Sequence, residues 1–214
     1  FIDELDITDM YNIDNKYKKL LSQKIINRYI NLKKLDASSN PKIKSVNKFT
    51  KLEILNASKN CGINDTGLVH CINLKELNAS YNSKITSVNH LVKLEILRAT
   101  CGNDNNGNPQ HICGINDAGI VHCINLKSLN ATNNTRITNI NHLINLEMLN
   151  ADKNCGINDA GIVHCINLKS LNVTHNYSIT TVNHLTNLEK LDALGECGIS
   201  DAGIGQCINL KSLN

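Results

Sequence analysis

The sequence contains no tryptophan, and aromatic residues make up only 3% of its 214 positions. A site that stacks nucleic-acid bases, or an interface built on aromatic anchors, therefore has few residues to use. Lysine and arginine total 22 against 19 acidic residues, and a net charge of +3 is too weak to indicate nucleic acid or a membrane as the partner. No apolar run approaches the roughly 20 residues that span a bilayer. With 41% hydrophobic residues and two prolines, the chain has the composition of a folded protein.

What the sequence has in excess is a repeat. The motif N/K-L-x-x-L-x-A begins nine times within residues 31–214, at spacings that alternate between 20 and 22 residues. One unit carries ten extra residues, at 102–111, and Cys113–Asn130 is identical to Cys155–Asn172. One coil of this length cannot bury its leucines alone, whereas stacked coils share a core. Because the repeat breaks off at Asn214, we expect the chain to be part of a longer array.

The unit reads L-x-x-L-x-A-x-x-N-x-x-I, which resembles the leucine-rich repeat. The long units add C-G-I-x-D-x-G-[IL]-x-x-C-I-N-L, which resembles the cysteine-containing subclass that is common in F-box substrate receptors. The resemblance implies an α/β fold, a right-handed leucine-rich-repeat solenoid. We expect a parallel concave β-sheet, short helices or turns on the convex side, and a helical N-terminal cap at residues 1–30.

Two kinds of polar residue have predicted structural roles in this repeat. Aspartates of the long units are predicted to cap the convex helices: Asp65, Asp117, Asp159 and Asp201. Asparagines after the strands are predicted to form a ladder whose amides satisfy backbone groups: Asn40, Asn60, Asn82, Asn134, Asn154 and Asn176.

Cysteines and histidines also recur in register. Eight of the nine cysteines belong to the repeat, and equivalent ones lie about 10 Å apart, beyond disulfide reach. We interpret them as core residues of a protein in a reducing, intracellular and cytoplasmic compartment. Six histidines form a column that either binds Zn or Cu or is a polar surface feature without a function: His70, His90, His122, His142, His164 and His184. The insertion lacks the spacing of a calcium loop or of a zinc site at Cys101, His111 and Cys113, so we expect a surface loop and no cofactor.

The concave face is the usual binding surface of a solenoid. Its first exposed column alternates lysine and glutamate from Lys33 to Lys211, which predicts a self-neutralising ladder rather than a phosphate-binding stripe. The exposed apolar, aromatic and arginine side chains predicted to contact a protein partner there are Ile54, Tyr81, Ile96, Arg98 and Met148. Every Asp-His-Cys combination recurs once per repeat, whereas an active site needs one asymmetric arrangement, so we do not expect an enzyme.

Residues 1–30 lack the repeat and leave two interpretations open. The segment is either a helical cap that shields the first coil or, by resemblance, the second half of an F-box, in which Leu5, Met10 and Ile13 contact the adaptor of a cullin-type ubiquitin ligase. The function predicted is non-enzymatic protein recognition, either as a ligase substrate receptor or as a standalone module for host contact. The Asn, Ile and Lys bias resembles leucine-rich-repeat proteins of giant amoeba-infecting viruses and AT-rich protists, which would place a viral protein in the host cytoplasm.

Overall fold

The computed structural model describes residues 9–10, 20–103 and 109–214. Among the described residues, ten short strands form one parallel sheet in which each strand pairs with the next strand of that sheet, and β5 pairs with β8 across the insertion. These strands are β1 (Asp9–Met10), β2 (Lys34–Asp36), β3 (Ile54–Asn56), β4 (Glu76–Asn78), β5 (Ile96–Arg98), β8 (Ser128–Asn130), β9 (Met148–Asn150), β10 (Ser170–Asn172), β11 (Lys190–Asp192) and β12 (Ser212–Leu213). Two further strands, β6 (Gly102–Asn103) and β7 (Pro109–His111), form an antiparallel pair within the insertion.

The strand register follows the repeat without slippage. Leu55 in β3 pairs with Leu35 in β2 and with Leu77 in β4, and the flanking residues match in the same way. These leucines are at most 1% exposed, whereas their neighbours on each strand are mostly partly exposed or exposed on the concave face. Since side chains alternate along a strand, this register stacks one leucine per coil into a continuous core.

Consecutive i→i+3 backbone bonds shape the segment that leads into each strand. The Cys71 N–H donates to the carbonyl of Leu68, and the Leu74 N–H donates to the carbonyl of Cys71, at 2.9 and 3.1 Å. In this geometry residues three apart point the same way, so Leu68, Cys71 and Leu74 all face the core and are fully buried. The spacing L-x-x-C-x-x-L is therefore the sequence signature of this inward row.

The convex side carries one short helical turn in each long coil. Four-residue helices lie at Asp117–Ile120 and Asp201–Ile204, and 3₁₀ turns lie at Asp65–Gly67 and Asp159–Gly161. The predicted capping role of the aspartates is wrong by one residue. Asn64, Asn116 and Asn158 are the N-caps, and each side chain accepts the N–H three residues on. Ser200 precedes the last helix without such a bond.

The asparagine ladder is present only in the short coils. Asn134 is fully buried, donates to the carbonyls of Ala99 and Ile115 and accepts from the Arg136 N–H. Asn40, Asn82 and Asn176 are buried and bonded in the same manner. The prediction is wrong for Asn60 and Asn154, which are exposed.

In the long coils, cysteine takes the place of the ladder asparagine. The buried Cys113 Sγ donates to the carbonyl of Ala79 at 3.5 Å, just as Asn82 donates to the carbonyl of Ala57. One extra residue before the cysteine moves the preceding asparagine out to solvent, so Cys61 and Cys155 are buried while Asn60 and Asn154 are not. The buried row thus alternates asparagine and cysteine.

Residues 9–10 and 20–30 are the described part of the segment in which we expected a helical cap. Asp9–Met10 is a strand, and Met10 pairs with Leu35 at the start of the sheet. Among the described residues before Asn31, a helix lies at Gln23–Ile26, and Ile26 is fully buried. The Gln23 side-chain oxygen accepts the N–H groups of Lys44 and Ser45 at 2.8 and 3.0 Å. Residues 20–30 therefore pack like the convex part of a further long coil. Leu5 and Ile13 lie outside the described residues.

Among the described residues, no helix is long and apolar enough to cross a membrane.

Candidate protein-binding surface

The structure places four of the five predicted contact residues on the concave sheet. Ile54, Ile96 and Met148 are the first residues of β3, β5 and β9, and Arg98 is the last residue of β5. Met148 is 49% exposed, whereas Ile54 and Ile96 are partly exposed. The three apolar residues do not form one patch, because Glu76 stands between Ile54 and Ile96, and Ser128 stands between Ile96 and Met148.

Tyr81 is not on the concave sheet. It lies in the turn after β4 with a φ of 61°, in the same register as Ser39, Lys59 and Asn133. Its N–H donates to the carbonyl of Thr100 at 2.9 Å. The sequence did not predict this turn, because Tyr81 has a left-handed backbone conformation in which asparagine or glycine is more common than tyrosine. Tyr81 therefore belongs to the rim at the carboxyl ends of the strands.

Arg98 is already engaged within the chain. Its guanidinium forms an ion pair with Glu76 of the preceding strand. Glu76 thereby neutralises the single arginine on the sheet, and the pair covers part of the space between β4 and β5. A partner that approaches Arg98 meets this ion pair rather than a free cation.

A shallow hollow opens beside Arg98 on the middle of the sheet. Its volume is about 270 Å³, and it is lined by Arg98, Met148, Asp192 and the serines and asparagines of β8, β9 and β10. The side-chain oxygens of Asn130, Asn150 and Asn172 accept the N–H two residues on, at 2.9 to 3.1 Å. No acceptor within the described part of the chain takes a hydrogen bond from the Nδ2 atoms of these three amides. The hollow thus offers a half-exposed methionine beside a row of fixed amide donors.

The lysine–glutamate column forms pairs. Lys75 contacts Glu53, Lys127 contacts Glu95, Lys169 contacts Glu147 and Lys211 contacts Glu189, with N–O distances of 2.8 to 3.0 Å. The hydrogen bond from Lys75 lowers the pKa of the Glu53 carboxyl, and the Glu53 contact raises the pKa of Lys75. A groove of about 740 Å³ follows this column and its neighbouring asparagines. Four of its lysines pair with glutamates, and Lys93 donates to the Asn73 side chain, so the lysines are separated by glutamates rather than forming a continuous positive stripe.

The histidine column does not assemble a metal centre. Histidines of the short coils donate Nε2–H to carbonyls of the preceding coil: His90 to Leu68, His142 to Ile120 and His184 to Ile162, at 3.1 to 3.2 Å. Those of the long coils, His70, His122 and His164, are exposed. In the described part of the chain, no three His, Cys, Asp or Glu side chains lie close enough to hold a metal. The side chain of His111, in the insertion, is outside that part.

The cysteines are free and most are buried. Burial raises the pKa of Cys71, Cys113, Cys123 and Cys155 to about 12. Thiols of this kind carry almost no thiolate near neutral pH and are poor nucleophiles and metal ligands. Their place in the core matches the interpretation of the repeat cysteines as packing residues.

No protein-family model and no curated protein matches the sequence. Solved structures do match. The internalin InlF of Listeria monocytogenes superposes with a TM-score of 0.63 at 20% identity, over 88% of this chain and 55% of that protein. The TLR13–ssRNA13 complex gives a TM-score of 0.61 at 21% identity, over 91% of this chain and 30% of that one.

The functional domain of InlJ from Listeria monocytogenes, described as including a cysteine ladder, gives 0.54 at 17% identity, over 96% of this chain and 46% of that one. The leucine-rich-repeat solenoid is confirmed. Identities this low show the fold alone. The chain spans about half the length of the InlF structure and less than a third of the TLR13 structure.

Proposed function

We propose that this chain is a protein-recognition module that performs no reaction and holds its partner on the concave sheet around Met148. The observation that carries the proposal is the hollow beside Met148. There one exposed apolar side chain lies among asparagine amides whose oxygens are held by backbone N–H groups. Such a surface combines an anchor with orienting donors at little entropic cost, because the backbone already holds each amide oxygen.

The charge distribution supports a protein as the partner. Four concave lysines are paired with glutamates, so the sheet offers no run of free cations for phosphates. The neighbour that is in complex with single-stranded RNA shares only the fold with this chain. The nine free cysteines support the proposal of an intracellular location.

The ligase-receptor hypothesis has no supporting observation among the described residues. Met10, one of the three predicted adaptor contacts, has its backbone paired with Leu35 in the solenoid sheet rather than placed in a helix. Neither the neighbours nor the described residues support a viral origin. The standalone module is therefore the function that we propose.

The test is a photo-crosslinking experiment with a benzophenone amino acid placed at Met148 or, as a control, at Tyr177. Tyr177 is 58% exposed but lies outside the sheet. We expect a protein from a cell lysate to be crosslinked at position 148 and not at 177. We expect the crosslinked product to be lost when Asn150 is also changed to Ala. Equal products at both positions, or none at 148, would contradict the concave site.

A further inference from the structure

A column of exposed aliphatic residues runs along one flank of the solenoid, where the chain enters each strand. Its members stand two residues before the first leucine of successive units and are 53% to 55% exposed. We call this column the flank stripe; it consists of Ile72, Val92, Ile124, Ile144 and Ile166. Thr50 and Thr186 occupy the same register beyond its two ends. At the spacing of parallel strands, five positions extend over about 20 Å.

The long coils widen this stripe. The i→i+3 bonds that turn Leu68, Cys71 and Leu74 inward place Val69 and Ile72 together on the outward side. Val121 and Ile124 share the same arrangement, as do Val163 and Ile166. The three valines are 46% to 49% exposed. Each long coil thus adds a second aliphatic side chain to the flank.

Polar groups beside the stripe already have their hydrogen bonds. The Asn125 amide donates to the carbonyl of Val92, and the Asn145 amide donates to the carbonyl of Ile124, at 2.8 and 3.0 Å. Asn89 donates to the carbonyl of Ala118 and accepts the His122 N–H. Burying this surface therefore leaves few donors or acceptors without a hydrogen bond. Unpaired polar groups are a main cost of removing a surface from water.

The order of the residues along the flank is nearly the same in both directions. About Ile124 as the centre, Val92 balances Ile144, Ile72 balances Ile166, and Thr50 balances Thr186. The valines are symmetric about the same coil, because Val69 lies two coils before Val121 and Val163 lies two coils after it. A surface of this kind is complementary to itself under a two-fold axis, which is the requirement for an isologous dimer.

Charge and area agree with this arrangement. In the neighbouring column a two-fold axis at Ile124 sets Lys51 opposite Asn187 and Lys93 opposite Asn145, so no like charges face each other within that column. Eight aliphatic side chains about half exposed present an apolar area on the order of 500 Å², at the upper end for a monomer. With its polar border it approaches the ~800 Å² that each partner buries in a standard interface.

We infer that a second copy of this chain covers the flank stripe in an antiparallel two-fold dimer centred on Ile124. The dimer leaves both concave sheets open, since the stripe lies outside them. The insertion follows the carboxyl end of β5 and so leaves the solenoid at the opposite edge of the sheet.

Sedimentation velocity over roughly 1 to 100 µM tests the inference directly. The expected species has twice the 23.6 kDa of the single chain. Ile124→Lys sets two cations against each other at the axis and is expected to give a monomer. Met148→Lys is the matched control on the concave face, with similar exposure, and is expected to remain a dimer. Circular dichroism confirms that both variants are folded.

A charge-exchange pair tests the register. Ile72→Lys combined with Ile166→Lys places like charges opposite each other twice and is expected to abolish the dimer. Ile72→Glu combined with Ile166→Lys places opposite charges together twice and is expected to keep it. A wild-type monomer throughout the range, or a dimer that survives Ile124→Lys, overturns the inference. Loss of the dimer in Met148→Lys also overturns the inference, because it assigns the dimer contact to the concave face. The crosslinking experiment at position 148 tests the concave face separately, and its result does not depend on the dimer.

Discussion

The carboxylate of Asp65 accepts hydrogen bonds from both the backbone N–H and the hydroxyl of Thr86, in the following coil, at 2.7 and 2.5 Å. Asp117 and Asp159 bind Thr138 and Thr180 in the same way. In each pair the aspartate opens the helical turn of a long coil and the threonine lies in the tight turn of a short coil. The bridge joins two unlike coils into one unit, which gives the 42-residue alternation a physical reason.

Removing the charge of one bridge will destabilise the protein in a pH-dependent manner. Burial of the Asp159 carboxyl would by itself raise its pKa, but hydrogen bonds from the Thr180 hydroxyl and from the N–H groups of Thr180 and Thr181 lower it. Because the pKa of this carboxyl is lower in the folded than in the unfolded protein, its charge stabilises the fold at any pH above the unfolded pKa, which is about 4. This stabilisation is lost as the pH falls through the folded pKa. We expect Asp159→Asn to cost about 1–2 kcal/mol at pH 7 and clearly less near pH 3, measured by urea unfolding.

Asp201→Asn is the control for this bridge, because Asp201 opens the last described helix and no hydrogen bond to its carboxylate is found among the described residues. We expect a change within about 0.5 kcal/mol. An equal loss in both variants would assign the effect to the helix terminus instead.

Replacing a buried ladder asparagine will cost much more than replacing an exposed one. Asn134→Ala leaves the carbonyls of Ala99 and Ile115 and the N–H of Arg136 without this partner inside the core. We expect a loss of about 2–4 kcal/mol in the free energy of unfolding. Asn154→Ala, at an exposed position, should stay within about 0.5 kcal/mol, and similar losses for the two would refute the reassignment of the long-coil position to cysteine.

A methyl group at the third residue of a helical turn will separate two coils. A Cβ on Gly119 would lie 2.1 Å from the carbonyl oxygen of Thr86, which is a backbone atom that cannot move alone. We expect Gly119→Ala to lower stability by about 2–3 kcal/mol in thermal or urea unfolding. Gly205→Ala is the control: its nearest neighbour is 3.8 Å away, and a neutral or slightly stabilising effect is expected. Tolerance of both alanines would mean that adjacent coils are less closely packed.

Thiol labelling will distinguish the buried cysteines from Cys197. Burial raises the pKa of Cys123 to about 12, so its thiolate fraction at pH 8 is on the order of 10⁻⁴. Cys197 is only partly buried. We expect iodoacetamide at pH 8 to label Cys197 first and Cys123 only after denaturation, as read by mass spectrometry of peptides. Fast labelling of Cys123 in the folded protein would place that thiol outside the core.

The inward positions of this protein could be predicted from the sequence alone. The spacing of Leu32, Leu35 and Ala37, repeated at 20 and 22 residues, requires a coil that buries one row of side chains, and every coil adds the same row. The parallel sheet, its register and the burial of Cys71 follow from that periodicity, because a slip of one residue would turn each leucine to solvent.

The polar positions were decided by the tertiary structure. Whether Asn60 or Cys61 enters the core depends on one extra residue in the turn. Whether Asp65 caps its own helix or binds Thr86 depends on where the next coil lies. Tyr81 leaves the concave sheet for the rim because the chain turns through a left-handed residue at that point. Periodicity determines which side chains must be buried together, whereas a hydrogen bond between coils depends on positions set only when the coils stack.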